Sequence, residues 1–217
     1  MDKKKLDKQS QYWERNFLNK PEMFGLKPSL SAKKALKIFK KNKITKILEL
    51  GSGLGRDTVF FAKNSIEVVA LDYSPFAVKV IKNKAKELKL EKFISASVFD
   101  VRKKLNFKNK IFGGCYSHML YCMALIENDI KNLNNEICRV LTPRGINIYT
   151  VRNTEDGDFK NGLHEGEDLY NNDGFIVHFF SKNKINSLLK GFKNLNIEYF
   201  EEGNFPRKLY IVFNRKI

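Results

Sequence analysis

Residues 46–57, Lys-Ile-Leu-Glu-Leu-Gly-Ser-Gly-Leu-Gly-Arg-Asp, read as a buried strand that runs straight into a glycine-rich turn. A second apolar run, Val68-Val69-Ala70-Leu71, follows and ends on the carboxylate of Asp72. Both runs are too short for helices, and each is followed by a helix signal, so together they make a βαβ unit. Such a unit belongs to a parallel sheet covered by helices on both faces. Ligands of open α/β sheets lie beyond the carboxyl ends of the strands. There glycines let the backbone approach closely, and an acid ending strand two accepts hydrogen bonds from both hydroxyls of a ribose. The pair points to a bound nucleoside.

The rest of the chain continues the alternation. Strands are expected at about 44–50, 67–71, 93–98, 111–116 and 146–151, with two more at 195–200 and 208–213. Ser31 is the expected cap of a helix carrying Ala32, Ala35, Leu36 and Phe39 at helical spacing, and Ser74-Pro75 opens another with a capping hydroxyl and proline at its first position. Further helices are expected from Asp57 to Lys63, from about Asn128 to Val140, and from a Ser181 cap to Leu189. The first thirty residues read as a short helix and an irregular segment. Thr142-Pro143-Arg144-Gly145 reads as a turn into strand five, and Asn204-Phe205-Pro206-Arg207 as a hairpin connection.

The glycine spacing narrows the ligand. A dinucleotide fingerprint needs glycine at the sixth position of the turn, where this chain has Arg56. The pattern is instead Glu49-x-Gly51-Ser52-Gly53-x-Gly55, and here the chain resembles the class I S-adenosylmethionine-dependent methyltransferases, whose first motif has this form. Its Gly-Arg-Asp turn and short length resemble most the tellurite-resistance and thiopurine branches. The resemblance implies an α/β, Rossmann-like, doubly wound fold: a mostly parallel seven-stranded sheet with an antiparallel last strand. It covers residues 44–217 as the methyltransferase domain, and leaves 1–43 as an N-terminal helical segment over the substrate and cofactor. Family members often carry an acid at the start of strand four, where this chain has Phe112-Gly113.

The strand ends supply the candidate site. After strand one, Gly51 to Asp57 offer backbone N–H groups and a helix N-terminus to the cofactor's methionine end, with Arg56 as a charge partner for its carboxylate. After strand two come Asp72 for the ribose, Tyr73 against the adenine face, and Ser74. The resemblance implies that Asp100, beside Val101 after strand three, receives the adenine amino group. After strand four come Ser117, His118 (the candidate base) and Tyr121. After strand five, Arg152 and Asn153 lead into a polar segment from Glu155 to Gly174, with His164 and Tyr170, read as a long substrate lid acting with Tyr12, Trp13 and Phe17. His178 reads as a strand or core residue.

Composition bounds the alternatives. The 217 residues suit one domain, and no apolar run approaches the ~18 residues of a membrane span. Lys3-Lys4-Lys5 is not followed by an apolar stretch, so no secretory signal is expected, and three cysteines without framework spacing fit a reducing cytoplasm. Cys115 and Cys122 flank the site, which raises thiol participation, but nothing has zinc-site spacing. The net charge of +16 raises RNA or protein as an acceptor. Against it, only eight of forty basic residues are arginine, the lysines are dispersed, and Ser117-His118-Met119-Leu120 stands where base-amino methyltransferases carry an N/D-P-P-Y/F motif. A non-catalytic nucleotide-binding module and an NAD-dependent oxidoreductase are the remaining readings. The expected protein is thus a methyltransferase of a small-molecule acceptor, converting S-adenosylmethionine to S-adenosylhomocysteine, with no metal and no membrane partner.

Overall fold

In the computed structural model, strand β1 (Lys46–Leu50) has Ile47, Leu48 and Leu50 fully buried, as expected of a strand covered on both faces. The structure describes residues 3–21, 23–203 and 207–217. Strands β2 (Glu67–Asp72), β3 (Ile94–Val98), β4 (Phe112–Ser117) and β5 (Leu141–Arg152) join β1 in parallel, while β9 (Phe192–Glu202) and β10 (Arg207–Lys216) run antiparallel to their neighbours. The sheet order is β3-β2-β1-β4-β5-β10-β9; its seven strands, mostly parallel with the last one antiparallel to its neighbours, are those the resemblance implies. The order in which strands are added reverses at β1, whose neighbours are β2 and β4, so the switch-point crevice opens where β1, β2 and β4 end.

Helices α2 (Leu30–Lys41), α3 (Arg56–Lys63) and α4 (Pro75–Glu87) cover one face, closing Phe39, Ile47, Phe61 and Ile81 into one layer. Helices α5 (Glu127–Val140) and α6 (Lys182–Ser187) cover the other, with Leu48, Leu50, Phe112, Ile137 and Ile185. The alternation along β1 sends Leu48 and Leu50 to the second layer and leaves Glu49 facing α3.

Three expectations are corrected. The cap of α2 is Ser29, whose Oγ accepts from the Ala32 N–H, because Ser29 is also anchored by a distant carboxylate; Ser31 lies inside the helix. Residues 142–145 are not a free turn but part of β5, bulged against β4 with Arg144 at φ 61°. The segment from Glu155 to Gly174 is not a long open loop. Most of it folds with β8 (Phe175–His178) into an antiparallel sheet of β6 (Leu163–Gly166), β7 (Leu169–Asn172) and β8. Its tight turns have both central residues at positive φ, Glu167-Asp168 and Asp173-Gly174; the second is a hairpin signal present in the sequence. Helix α1 (Lys3–Asn19) is longer than the short helix expected. Asn204–Pro206 of the expected hairpin connection lie outside the described residues.

Candidate functional site

Gly51, Gly53 and Gly55 all take left-handed backbone angles (φ 67°, 51° and 78°), which turn β1 into α3 within a few residues. At Gly55 a side chain has no room: a Cβ there would lie 2.6 Å from Cγ1 of buried Ile81. Glu49 lies beneath this turn, where Thr58 donates to its Oε2 at 2.5 Å. Burial drives the Glu49 carboxyl well above the ordinary carboxylate range, against the Thr58 hydrogen bond. Glu49 therefore ties the end of β1 to α3 through Thr58.

Asp72 ends β2 facing the turn. Its Oδ2 accepts from the Gly53 N–H at 2.8 Å and its Oδ1 from the Ser74 N–H at 2.9 Å. Burial pushes its pKa up to about 6; these N–H bonds oppose the rise and nearby Glu14 adds to it. Ser74 caps α4 through the Ala77 N–H. Asp100, after β3, is gripped by Arg102 at both oxygens (2.8 and 3.0 Å) and accepts from the Arg102 N–H. Burial resists its ionisation, but the Arg102 bonds outweigh that and hold it below the usual range. Val101 beside it is buried. The hydroxyls of Ser52 and Ser117, at the ends of β1 and β4, are buried with no hydrogen-bond partner among the described residues.

Helix α1 roofs this crevice. Asp7 pairs with Arg102 at 2.9 Å, and the Tyr73 hydroxyl donates to the Gln9 carbonyl at 3.3 Å. Glu14 accepts from the Ser74 hydroxyl and from the Phe76 N–H, so it sits on the N-terminus of α4. Phe17 is buried on Leu54 and Ala77, over Gly53. Tyr12 stacks on Phe175 of β8 (centroids 5.4 Å apart), and Trp13 packs between Phe17 and Phe175. The Gln9 amide donates to the Gly174 carbonyl at 2.7 Å. The structure thus brings Tyr12, Trp13 and Phe17 to the glycine turn and ties the roof to the three-stranded sheet. Glu14 and Gln9 escaped sequence reading because their partners lie about the helix only after folding.

On the β4 side a chain of hydroxyls links buried groups. Asp57 accepts from the Ser29 N–H (2.8 Å), the Ser29 hydroxyl (2.7 Å) and the Tyr116 hydroxyl (3.0 Å). Ser31 Oγ lies 2.8 Å from Tyr116 Oη and 2.9 Å from Nδ1 of His118, which is also 3.1 Å from Thr150 Oγ1. Nε2 of His118 stands 3.3 Å from Glu202 Oε2. Arg56 is turned inward: its guanidinium donates to the Phe24 carbonyl at 2.8 Å and lies 3.4 Å from Asp57 and 3.5 Å from Glu202.

Several expected roles are displaced. Asp57 faces the start of α2 rather than the crevice; three donors converge on it. Asp57→Ala is expected to cost about 3 kcal/mol in urea unfolding, because those donors are left buried without an acceptor. Tyr116→Phe, which removes one of them, should cost only about 1 kcal/mol. Tyr121 is not a lid residue: it is buried, stacked on Tyr149 at 4.1 Å, and donates to Asn134 Oδ1 at 2.6 Å. Arg152 is buried under Phe179 and paired with Asp156 and Asp158, and Asn153 is fully buried, so both serve the fold. His164 stacks on Tyr170 on the small sheet (4.9 Å), away from His118's hydrogen-bond chain. Burial raises the Cys122 thiol to about 11 and the Cys115 thiol still further, which keeps both protonated. Among the described residues no cluster of His, Cys, Asp and Glu is placed to hold a metal, and no helix is long and apolar enough to cross a membrane.

Comparison with known proteins gives the same frame. Residues 47–145 match the family model described as a methyltransferase domain. No curated protein sequence matches the chain. Among solved structures, the 1,6-didemethyltoxoflavin-N1-methyltransferase of Burkholderia thailandensis, with bound 1,6-didemethyltoxoflavin and S-adenosylhomocysteine, is 16% identical; the match covers 96% of this chain and 87% of that one, at a TM-score of 0.74. TehB of Haemophilus influenzae is 17% identical over 94% of this chain and 67% of its own, at 0.69. An S-adenosylmethionine-dependent methyltransferase of Clostridium acetobutylicum is 12% identical over 97% and 98%, at 0.70.

Proposed function

We infer that this chain is an S-adenosylmethionine-dependent methyltransferase that transfers the methyl group to a small-molecule acceptor by in-line displacement. The residues present fit the cofactor: a left-handed glycine backbone next to a buried carboxylate, and two buried hydroxyls still lacking partners. S-adenosylmethionine, when bound, supplies a methyl group activated by a sulfonium charge that is lost on transfer. Asp72 takes the ribose, each oxygen keeping acceptor capacity beyond its backbone bond. Glu49 ties β1 to α3 through Thr58, and the turn of Gly51, Gly53 and Gly55 with the start of α3 receives the amino-acid end. Ser52 and Ser117 supply hydroxyls, Tyr73 and Val101 border the base, and Asp100 accepts from its amino group while Arg102 keeps it ionised.

The observation that carries the choice of acceptor is the roof. Helix α1, pinned by Asp7, Gln9 and Glu14, and the aromatic wall of Tyr12, Trp13, Phe17 and Phe175 close the crevice from above. A roofed, apolar site suits a compact acceptor and excludes water from the displacement. A bound small acceptor in the Burkholderia enzyme supports the same reading. The chain is tested with a panel of small aromatic hydroxyl, N–H and thiol compounds and an RNA mixture, following S-adenosylhomocysteine release. Turnover with a small compound is the expected result; turnover on RNA alone, with steep salt dependence, overturns the acceptor class.

A further inference from the structure

We propose that residues 18–30 and the outer stripe of α2 form a docking surface for an anionic lipid bilayer. Eleven large apolar residues are exposed among the described residues, and five of them, Leu18, Met23, Phe24, Leu26 and Leu30, fall within this one segment. Leu26 is 74% exposed and Leu18 52%. Scattered single leucines on a surface need no explanation; a run of them beside a ligand crevice does. The segment is held fast to the roof. The Phe24 ring lies 6.2 Å from Trp13 and 6.5 Å from Phe17, and its carbonyl accepts from Arg56 at 2.8 Å. Met23 and Leu26, on either side of that anchor, stay in water. Among the described residues no helix can cross a bilayer, so the contact is with its surface alone. Docking of this kind is independent of the methyl-transfer reading.

The charge around the cluster selects the partner. Lys20 and Lys27 belong to the segment, against one acid, Glu22. Helix α2 then carries Lys33, Lys34, Lys37, Lys40 and Lys41 and no acid. It buries Ala32, Ala35, Leu36 and Phe39, so helical spacing puts Leu30, Lys33, Lys37, Lys40 and Lys41 on its solvent stripe. Among the described residues only Lys34 of this helix is paired with a carboxylate, that of Glu198. Beyond α3, helix α4 adds Lys79, Lys82, Lys84 and Lys86 against Glu87. On the other face of the sheet, α5 balances Lys131 and Arg139 with Glu127, Asp129 and Glu136. Lysines dispersed along the sequence are thus gathered by the fold onto one face, which attracts a polyanion. The side chains favour lipid over RNA. Single-stranded RNA is held by aromatic rings on which bases stack, and arginine forks grip phosphate best. Here four of the five exposed apolar residues are leucine or methionine, and the α2 stripe holds only lysine. Such residues enter the acyl boundary, while lysine stems carry their ammonium groups to the headgroups.

The test is sedimentation of the full chain with vesicles of equal parts phosphatidylglycerol and phosphatidylcholine, against phosphatidylcholine alone, at about 0.15 M salt. Binding to the anionic vesicles is expected to be at least about tenfold tighter. Each lysine near such a surface contributes about fivefold, so Lys33→Gln combined with Lys37→Gln should weaken it about 25-fold. Leu26→Gln, at a position already exposed, should weaken it about tenfold and leave the urea midpoint unchanged. Lys131→Gln, on the exposed side of α5, should bind as the wild type does. No sedimentation with the anionic vesicles overturns the proposal. So does a loss in Lys131→Gln as large as in the α2 pair, which reduces the binding to net charge, or binding that Leu26→Gln leaves unchanged. Retention by RNA with the vesicles ignored assigns the basic face to nucleic acid and overturns the lipid surface as well.

Discussion

Asp72→Ala is expected to weaken S-adenosylhomocysteine binding about a hundredfold in calorimetry. Two hydrogen bonds from a vicinal diol to a charged acceptor contribute about 1.5–3 kcal/mol each, so their loss removes at least ~3 kcal/mol. The Gly53 and Ser74 N–H groups lose their acceptor at the same time, which loosens the turn against β2. The site also sets a pH dependence. The native pKa of Asp72, about 6, exceeds the ordinary value of 3.8, so the folded state holds the proton more tightly than the unfolded chain. The stability that proton confers is fully present below pH 3.8 and is lost as pH rises through about 6. Between about pH 4 and 7 the wild type should therefore lose about 3 kcal/mol relative to Asp72→Ala, at about 1.4 kcal/mol per pKa unit. Ligand affinity moves the other way and should rise as pH climbs through the same range. A flat stability difference, or full binding by the alanine variant, would remove Asp72 from the site. Burying a carboxylate at a strand end is thus a stability cost, and the proposed role as ribose acceptor accounts for it.

Gly55→Ala should have the largest effect on folding. A residue with a Cβ at φ 78° is strained by about 1–2 kcal/mol. The added methyl would lie 2.6 Å from Cγ1 of fully buried Ile81, and overpacking of this kind costs about 1–3 kcal/mol more. A loss of about 2–5 kcal/mol, against a typical total of about 5–15 kcal/mol, should be plain in the urea midpoint. Gly53→Ala is the control. Its Cβ would meet only Phe17 at 3.6 Å, an ordinary contact, so it should cost about 1–2 kcal/mol and act mainly on ligand binding. Equal losses in both variants would refute the assignment of Gly55 to α3–α4 packing.

Much of the frame was legible because it is written locally. The strand of residues 46–50, the glycine turn and the Ser74-Pro75 start of α4 each depend on neighbours within a few positions. The Asp173-Gly174 hairpin signal is equally local, but the polar composition of residues 155–174 masks it. Ser31 and Ser29 show the opposite case. Both are competent caps, and the choice between them is made by Asp57, 28 residues away, through the Ser29 N–H and hydroxyl. Tyr121 follows β4 and Arg152 ends β5, both at the expected end of the sheet. Their side chains turn inward because Asn134, Asp156 and Asp158 offer them partners there.

Residue order alone determined the parallel sheet, its switch point and the carboxylate facing the glycine turn, since hydrophobic period and glycine spacing act within one βαβ unit. Tertiary structure decided everything that joins distant segments: α1 over the crevice through Glu14 and Phe17, and the path from Asp57 through Ser31 to His118 and Glu202. Such contacts have no local pattern, because hydrogen-bond partners brought together by folding leave no period in the chain.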